Sequence, residues 1–224
     1  DVVVYANSLV PQQVLDWTRP DAEKVGTANL TLETILPLMI ERVTAGKSVV
    51  RLHSGDPSLY SAIHEQMQAL AIAAIPFEVI PGISAFQAAA AKLNAELTIP
   101  GLVQSIILTS ISGRTPVPAT EELPSLAAHK TSLCLYLSAR HVAESQTLLL
   151  QHYAPETPVA ICFRVGWPDE QIWVAPLTEM TAITQRENLI RTTLYIVSPA
   201  LQGAAVRSRL YNPDHTHLFR PQNT

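Results

Sequence analysis

The order of strand-like and helix-like segments is the feature that most limits what this chain can fold into. The runs DVVVYA (1–6) and SVVRLH (48–53) are short, β-branched and bounded by polar residues, which is typical of buried strands. Between them, apolar residues recur at three- and four-residue spacing over 32–43, which predicts a helix that ends near Gly46.

The same alternation continues through the first half of the chain. A second helical pattern covers 59–70, FEVI (77–80) predicts a further strand, and PGISAFQAAAAKL (81–93) predicts a turn that leads into a helix of small residues. The run SIILT (105–109) predicts the strand that closes this lobe. Strands that alternate with helices favour an α/β fold with a mostly parallel sheet, here over residues 1–109.

The composition changes after this lobe. Residues 110–124 contain four prolines and a glycine without periodicity, which indicates a connector between two lobes. Residues 125–201 then favour an α+β lobe with a mixed sheet, and GWPDE (166–170) indicates a hairpin between two strands. The tail, 202–224, has little periodicity and is expected at the surface. The expected strands of the second lobe are 132–138, 158–165, 171–176 and 192–198, with helical patterns at 140–152 and 177–184.

Composition excludes several classes of protein. Hydrophobic residues make up 47% and charged residues 15%, a globular composition, and the net charge of −4 gives no general affinity for nucleic acid or an anionic membrane. No run of about 18 apolar residues and no signal peptide is visible. Cys134 and Cys162 lie in apolar strand-like runs, so we expect buried free thiols and a cytoplasmic protein.

Several motifs that carry chemistry fail on their spacing. His64 and Glu65 resemble the start of a zinc-protease motif, but position 68 is glutamine. His215 and His217 have no carboxylate or cysteine framework around them, so we expect no metal site. Ser54 precedes a glycine without the second glycine of a nucleophile elbow, and neither a dinucleotide-binding glycine motif nor a P-loop is present.

The turn Gly55-Asp56-Pro57 is the motif that remains. Glycine permits positive φ and close approach of a ligand, and Asp56 can accept a hydrogen bond from the backbone two residues on and cap a following helix, with Pro57 as its first residue. These three residues alone favour a purely structural turn over a binding site. A second small-residue turn, PGISA (81–85), also follows a predicted strand, and two such turns at neighbouring strand ends would line a pocket with backbone groups.

Four blocks of the sequence resemble the tetrapyrrole methyltransferases, the superfamily that includes uroporphyrinogen-III methyltransferase. They are HSGDPSLYSA (53–62), VIPGISAFQAAAA (79–91), LTIPGLVQSIILTSISGRTPVP (97–118) and FRVGWPDEQI (163–172). The third and fourth blocks most resemble the C-11-methyltransferases of precorrin-4 or cobalt-precorrin-4, which act in cobalamin biosynthesis. The resemblance extends from Asp1 to about Arg220.

This resemblance implies a two-lobed fold in which S-adenosylmethionine lies in the cleft between the lobes and is converted to S-adenosylhomocysteine. It implies no protein-bound metal, and it implies a homodimer whose partner molecule is a small tetrapyrrole. The cofactor-binding positions that it implies are Ser54, Gly55, Asp56, Leu59, Ser84, Ala85, Leu137, Val165, Thr193 and Leu194.

The implied substrate carries several carboxylates, which an acidic protein must meet with local positive charge. Hydrogen bonds between arginine and carboxylate contribute about 1.5–3 kcal/mol each when partly sheltered. The expected substrate-binding residues are Arg114, Arg140, Arg164, Arg51 and His53. A proton must also leave the substrate, and Asp56, Tyr60 and Tyr136 are the candidates for its acceptor.

The sequence departs from the family pattern at one place. Family members have an apolar strand and a glycine- and proline-rich loop ahead of the segment that Asp1–Ala6 matches. We therefore expect the natural protein to carry roughly 15–30 further N-terminal residues. Three interpretations stay open: the C-11 enzyme, a related methyltransferase with another ring position or substrate, and a truncated non-catalytic binder of S-adenosylmethionine or a corrinoid.

Overall fold

The computed structural model describes residues 1–112, 116–203, 212, 215, 216 and 220. Contacts divide the chain into two compact units, Asp1–Ala85 and Phe86–Thr224. The boundary between the units therefore falls earlier along the chain than the connector predicted at 110–124.

The first unit is built on a three-stranded parallel sheet in the order β2-β1-β3. Its strands are β1 (Val2–Tyr5), β2 (Glu23–Gly26) and β3 (Val49–Leu52). The central strand β1 and the outer strand β3 were predicted from their β-branched runs. Strand β2 was missed, because Glu-Lys-Val-Gly has neither an apolar run nor an alternating pattern.

Two predicted helices are confirmed in this unit. Helix α1 (Leu32–Thr44) and helix α2 (Ile63–Ile72) pack against each other and against the sheet. Their apolar positions bury the fully enclosed strand residues of β1 in one cluster, which comprises Val2, Val4, Ile35, Met39 and Leu70. This cluster explains the three- and four-residue spacing, since one face of each helix turns toward the sheet.

The strand predicted at 77–80 is wrong. Residues 75–84 form no regular element, although the chain returns there from α2. Phe77, Val79 and Ile80 are 46, 43 and 64% exposed. An apolar β-branched run becomes a strand only when it finds a pairing partner, and no strand in the described part of the chain lies beside this one.

The second unit contains a five-stranded sheet in the order β4-β5-β8-β6-β7. Strand β4 pairs in parallel with β5, and the other pairs are antiparallel, so the predicted mixed sheet is confirmed. The strand predicted at 105–109 is β4. We expected it to close the first lobe, but it belongs to the five-stranded sheet of the second unit. The strands are β4 (Ile106–Ser110), β5 (Ser132–Tyr136), β6 (Pro158–Phe163), β7 (Gln171–Pro176) and β8 (Thr193–Val197).

Helices cover this sheet and complete its core. Helix α3 (Ala85–Lys92) leads into the unit and confirms the helix predicted after the second turn. It is followed by α4 (Leu123–Ala127), α5 (Val142–Leu149) and α6 (Met180–Arg186). The predicted hairpin is β6–β7. The α/β class is therefore confirmed, and none of the described helices is long and apolar enough to cross a membrane.

Candidate functional site

The two small-residue turns of the first unit are joined by the carboxylate of Asp56. Its Oδ1 accepts a 2.8 Å hydrogen bond from the backbone N–H of Ser58 and a short one from the Ser58 hydroxyl. Its Oδ2 accepts a 2.8 Å hydrogen bond from the backbone N–H of Gly82, which is 26 residues away in the sequence. One side chain therefore fixes the turn after β3 to the turn before α3.

A close approach of backbone to backbone accompanies this bond. A Cβ atom placed on Gly82 would lie 2.1 Å from the carbonyl oxygen of Gly55, a distance that no real side chain tolerates. Gly55 has φ of +69°, in the left-handed region that favours glycine. The two glycines thus have different roles. Gly55 permits a left-handed backbone conformation, and Gly82 permits the close contact between the two turns.

Hydrogen bonding lowers the pKa of Asp56, with the largest effect from the Ser58 hydroxyl and further effects from the N–H groups of Gly82 and Ser58. The predicted Asx turn onto Ser58 is confirmed. The predicted helix cap is wrong, because α2 begins at Ile63 and Pro57 lies well before its first residue. A carboxylate that accepts several N–H and O–H bonds and stays ionised is a poor proton acceptor, so the geometry favours a positioning role.

Backbone strain marks the same segments. Four of the non-glycine residues with positive φ in the described ranges follow helix ends, where this conformation is ordinary: Ala74, Asn94, Lys130 and Asn188. The others lie within two residues of predicted site positions and are Tyr60, Ala62, Leu137, Arg164 and Thr192. Strained backbone of this kind concentrates at binding sites, because ligand geometry rather than local preference selects it.

The predicted substrate-binding residues of the first unit lie on and just after β3. Arg51 is half-buried and donates to the Val4 carbonyl oxygen at 3.2 Å and to Gln66 Oε1 at 3.3 Å. Desolvation lowers the pKa of Arg51, and desolvation together with the Arg51 charge lowers the pKa of His53. The structure therefore holds a sheltered cation on β3, with no ion pair to a carboxylate in the described residues.

The cofactor positions predicted in the second unit differ in exposure. Leu137 follows β5 with φ of +55° and is 71% exposed, an unusual state for a leucine. Thr193 and Leu194 lie in β8 with their side chains buried, and the Thr193 hydroxyl donates to the Arg191 carbonyl oxygen at 3.1 Å. Val165 is half-buried in the β6–β7 connection. Leu137 is thus the one of these four whose side chain is freely accessible within its unit.

The predicted cationic residues of this unit also differ. Arg164 forms an ion pair with Asp169, and its guanidinium lies 4.0 Å from the ring centroid of Trp167. Arg140 is exposed in a short 3₁₀ turn before α5. Arg164 therefore has its charge largely compensated, whereas Arg114, which the sequence favoured most, lies outside the described residues.

The tyrosines considered as proton acceptors occupy different surroundings. The Tyr136 hydroxyl accepts a 3.1 Å hydrogen bond from the backbone N–H of Phe86 in the first turn of α3. Tyr60 is 48% exposed and has a left-handed backbone. No cluster of three or more potential metal ligands occurs among the described residues, and His217, one of the two histidines considered for a metal, is not among them.

Comparison with known proteins places these features in a family. The family described as Tetrapyrrole (Corrin/Porphyrin) Methylases matches residues 1–181 of this chain. The chain belongs to this family. Among curated tetrapyrrole methylases it is 38% identical to cobalt-precorrin-4 C(11)-methyltransferase of Methanocaldococcus jannaschii, over 98% of this chain and 86% of the relative. It is 40% identical to precorrin-4 C(11)-methyltransferase of Pseudomonas aeruginosa, over 98% and 88%.

Solved structures of tetrapyrrole methylases share the fold. The X-ray structure of a cobalt precorrin-4 methyltransferase superposes with a TM-score of 0.85 at 38% identity, over 89% of this chain and 84% of that one. Uroporphyrin-III C-methyl transferase from Thermus thermophilus, complexed with S-adenyl homocysteine, superposes with a TM-score of 0.70 at 24% identity, over 90% and 86%.

Sequence reasoning placed both turns but missed the contact between them. Gly82 follows a proline at the end of an apolar run, which indicates a turn. Nothing in the neighbouring sequence shows that its N–H donates to the carboxylate of Asp56, 26 residues earlier. The one available signal was the pairing of a lone aspartate in one small-residue turn with a second turn that has no carboxylate of its own.

Proposed function

We propose that this protein transfers a methyl group from S-adenosylmethionine to C-11 of precorrin-4 or its cobalt complex, in cobalamin biosynthesis. The observation that carries the proposal is the identity of 38–40% over 98% of the chain with relatives that bear these two names. The two relatives are equally similar, so the proposal covers both the metal-free substrate and the cobalt-containing one. We also propose a cytoplasmic location, which the free, buried thiols of Cys134 and Cys162 support.

The two joined turns are proposed to form the wall that holds the cofactor in the first unit. Main-chain groups of Ser54, Gly55 and Ser84 would hydrogen-bond the polar parts of S-adenosylmethionine, and Leu59 and Ala85 would cover its apolar parts. Asp56 and Gly82 would act indirectly, by holding the two turns at the correct separation. Leu137, Val165, Thr193 and Leu194 remain predicted contacts from the second unit.

Methyl transfer needs little chemistry from the protein. An electron-rich ring carbon attacks the sulfonium methyl, a C–C bond forms, the C–S bond breaks, and S-adenosylhomocysteine leaves as a neutral sulfide. Alignment of the two reactants can contribute about 7–11 kcal/mol to lowering the barrier. A wall of apolar groups and backbone suits this step, because positive charge disperses in the transition state.

Local cations are proposed to bind the substrate carboxylates. Arg51 on β3 and Arg140 before α5 form no ion pair with a carboxylate in the described residues. His53, just after β3, has a lowered pKa and would contribute a hydrogen bond from a neutral imidazole rather than a charge. Arg164 contributes less in this proposal, since Asp169 already neutralises it. Arg114 stays a predicted contact. Tyr60 and Tyr136 are better candidates than Asp56 for the proton acceptor, given the hydrogen bonds that Asp56 already accepts.

The test is incubation of the protein with S-adenosylmethionine bearing a ¹³C methyl and with precorrin-4 or cobalt-precorrin-4 in parallel. Mass spectrometry should show one added methyl on one of the two, and NMR should place it at C-11. Asp56→Ala should reduce turnover strongly. The matched control is Asp21→Asn, which removes an exposed ion pair with Arg19 and should leave turnover unchanged.

Other outcomes would overturn the proposal in distinguishable ways. A methyl at another ring carbon, or transfer to neither substrate but to a different tetrapyrrole, would indicate a related methyltransferase. Tight binding of S-adenosylmethionine without transfer to any tetrapyrrole would indicate a non-catalytic binder.

A further inference from the structure

The β6–β7 connection (164–170) contains the Trp-Pro-Asp-Glu part of the fourth sequence block, and its glutamate has no role in the proposed function. Two residues of the connection have positive φ, Arg164 at +49° and Gly166 at +83°. A non-glycine residue keeps such a conformation only where the surrounding contacts hold it. The contacts that hold this connection therefore identify the residues on which its shape depends.

One set of contacts shapes the connection from within. The Arg164 guanidinium pairs with Asp169 and lies over the Trp167 ring. The Trp167 N–H donates to the Arg164 carbonyl oxygen at 2.9 Å, and the Glu170 N–H donates to the Trp167 carbonyl oxygen at 3.1 Å. The Arg164 N–H donates to the Thr192 carbonyl oxygen at 2.9 Å. These contacts give the connection its shape and fix its beginning beside the start of β8.

Glu170 fixes the other end, because each oxygen of its carboxylate contacts a different segment. Oε2 accepts a 2.7 Å hydrogen bond from the backbone N–H of Gly166. Oε1 lies 3.2 Å from Nζ of Lys92, in the last turn of α3, and the Glu170 side chain is only 19% exposed. The Gly166 N–H and then the Lys92 ammonium lower the pKa of Glu170, so the carboxylate is ionised at neutral pH.

Helix α3 gives this contact a fixed support. In its first turn, the Phe86 N–H donates to the Tyr136 hydroxyl, at the end of β5, at 3.1 Å. In its middle, Ala89 is fully buried, and in its last turn Lys92 pairs with Glu170. A helix that is held at both ends and packed between them has little freedom to shift, so its contact with Glu170 fixes the connection in place.

We propose that Glu170 is a positioning residue for the cofactor, which holds the β6–β7 connection against α3 so that Val165 is directed at S-adenosylmethionine. Val165 lies between Arg164 and Gly166, the two residues with positive φ, so the conformation that Glu170 stabilises sets its direction. The side chain of Val165 is half-buried. The inference rests on the proposed function for the identity of the ligand, and it deepens that function by giving a role to a residue outside the predicted cofactor positions.

A double-mutant cycle on the affinity for S-adenosylhomocysteine, measured by isothermal titration calorimetry, tests the proposal. Glu170→Ala removes both contacts of the carboxylate and should weaken binding at least about tenfold. Val165→Ala should weaken binding about fivefold through lost apolar contact. If Glu170 acts through Val165, the double variant should bind within about twofold of Glu170→Ala alone. Effects that multiply would overturn the proposal, because they would show that the two residues act independently.

Two milder substitutions separate the two contacts of Glu170. Glu170→Gln keeps an oxygen that can accept from the Gly166 N–H, and Lys92→Met removes the ion pair alone. Each leaves one contact in place and should weaken binding only about threefold. The matched control is Glu187→Ala, which breaks an ion pair with Arg186 of similar exposure and should leave the affinity unchanged. Binding by Glu170→Gln as weak as that by Glu170→Ala, or no effect of Lys92→Met, would overturn the proposal.

The outcomes are distinguishable from those of the proposed function. Binding of S-adenosylhomocysteine with the expected cycle, but no methyl transfer to precorrin-4 or cobalt-precorrin-4, would overturn the C-11 activity and support the role of Glu170. Methyl transfer at C-11 with an affinity that Glu170→Ala leaves unchanged would overturn the role of Glu170 alone. Absence of S-adenosylhomocysteine binding by the unsubstituted protein would overturn both.

Discussion

Gly82 is the residue at which one added methyl group is expected to have the largest local effect. We predict that Gly82→Ala weakens binding of S-adenosylmethionine at least about tenfold, because its Cβ would lie 2.1 Å from the Gly55 carbonyl oxygen and must push the two turns apart. Isothermal titration calorimetry measures this affinity. The control is Gly101→Ala, where no atom lies within 4 Å but φ is +78°.

The Gly101→Ala control separates the effect of backbone strain from the effect of a change in the cofactor site. Gly101→Ala should cost roughly 1–2 kcal/mol of stability, because alanine resists the left-handed conformation, with the affinity unchanged. If both variants bind equally well, the close approach at Gly82 has no bearing on the cofactor.

Asp56 is predicted to act through its geometry rather than through proton transfer. Asp56→Asn keeps the size of the side chain but places an amide N–H₂ where Oδ1 or Oδ2 accepts hydrogen bonds. We expect about a tenfold rise in the dissociation constant for S-adenosylmethionine, with the pH dependence of turnover unchanged in shape. Loss of an acidic limb from the pH profile of the variant would instead identify Asp56 as the base.

His53 is predicted to make stability depend on pH. Burial and the Arg51 charge lower its pKa in the folded state, so the unfolded chain takes up the proton first as pH falls. The free energy of unfolding should therefore fall as pH drops through about 6.5, the ordinary value for histidine. Denaturant titrations at pH 5.5 and 7.5 measure this, and His53→Gln should reduce the difference, whereas substitution of the exposed His129 should not.

At the scale of elements, the central strands of the second sheet enclose both cysteines. Cys134 in β5 and Cys162 in β6 lie on either side of β8, and burial raises the pKa of each thiol to about 12. We predict that neither reacts with a thiol reagent at pH 8 in the folded protein and that both react after unfolding. Rapid labelling of either under native conditions would show that these strands open locally.

The strands also show the limit of predicting structure from local sequence patterns. The run 105–109 was correctly predicted as a strand but assigned to the wrong sheet, since its pairing with β5 depends on residues far along the chain. FEVI was predicted from the same kind of evidence and forms no strand. A β-branched run encodes its own extended shape, and its neighbours are chosen by non-local contacts.

At the scale of the whole molecule, the oligomeric state stays a prediction. We expect a homodimer, which the family resemblance implies and which would cover some of the exposed apolar surface, such as Trp17 at 92% and Ile72 at 88% exposure. Light scattering coupled to size exclusion should give about twice the 24.4 kDa of one chain. A single-chain mass that persists at high concentration would contradict this.

The sequence by itself determined the alternation of strands and helices, the position of both small-residue turns, the Asx turn at Asp56 and the family. Each of these depends on residues close together in the chain, or on motifs that can be identified without knowing which residues they contact in space. The charge balance likewise excludes a general affinity for nucleic acid or an anionic membrane.

Only the tertiary structure decided which groups meet. The Asp56–Gly82 bond, the contact of Gly82 with Gly55 and the compensation of Arg164 by Asp169 all join residues through space. Two of them change a role expected from the sequence, that of Asp56 as a proton acceptor and that of Arg164 as a substrate contact. The physical reason is that hydrogen bonds and close contacts act over a few ångströms. Which distant residues come that close is set by the packing of whole elements, and no short stretch of sequence contains that information.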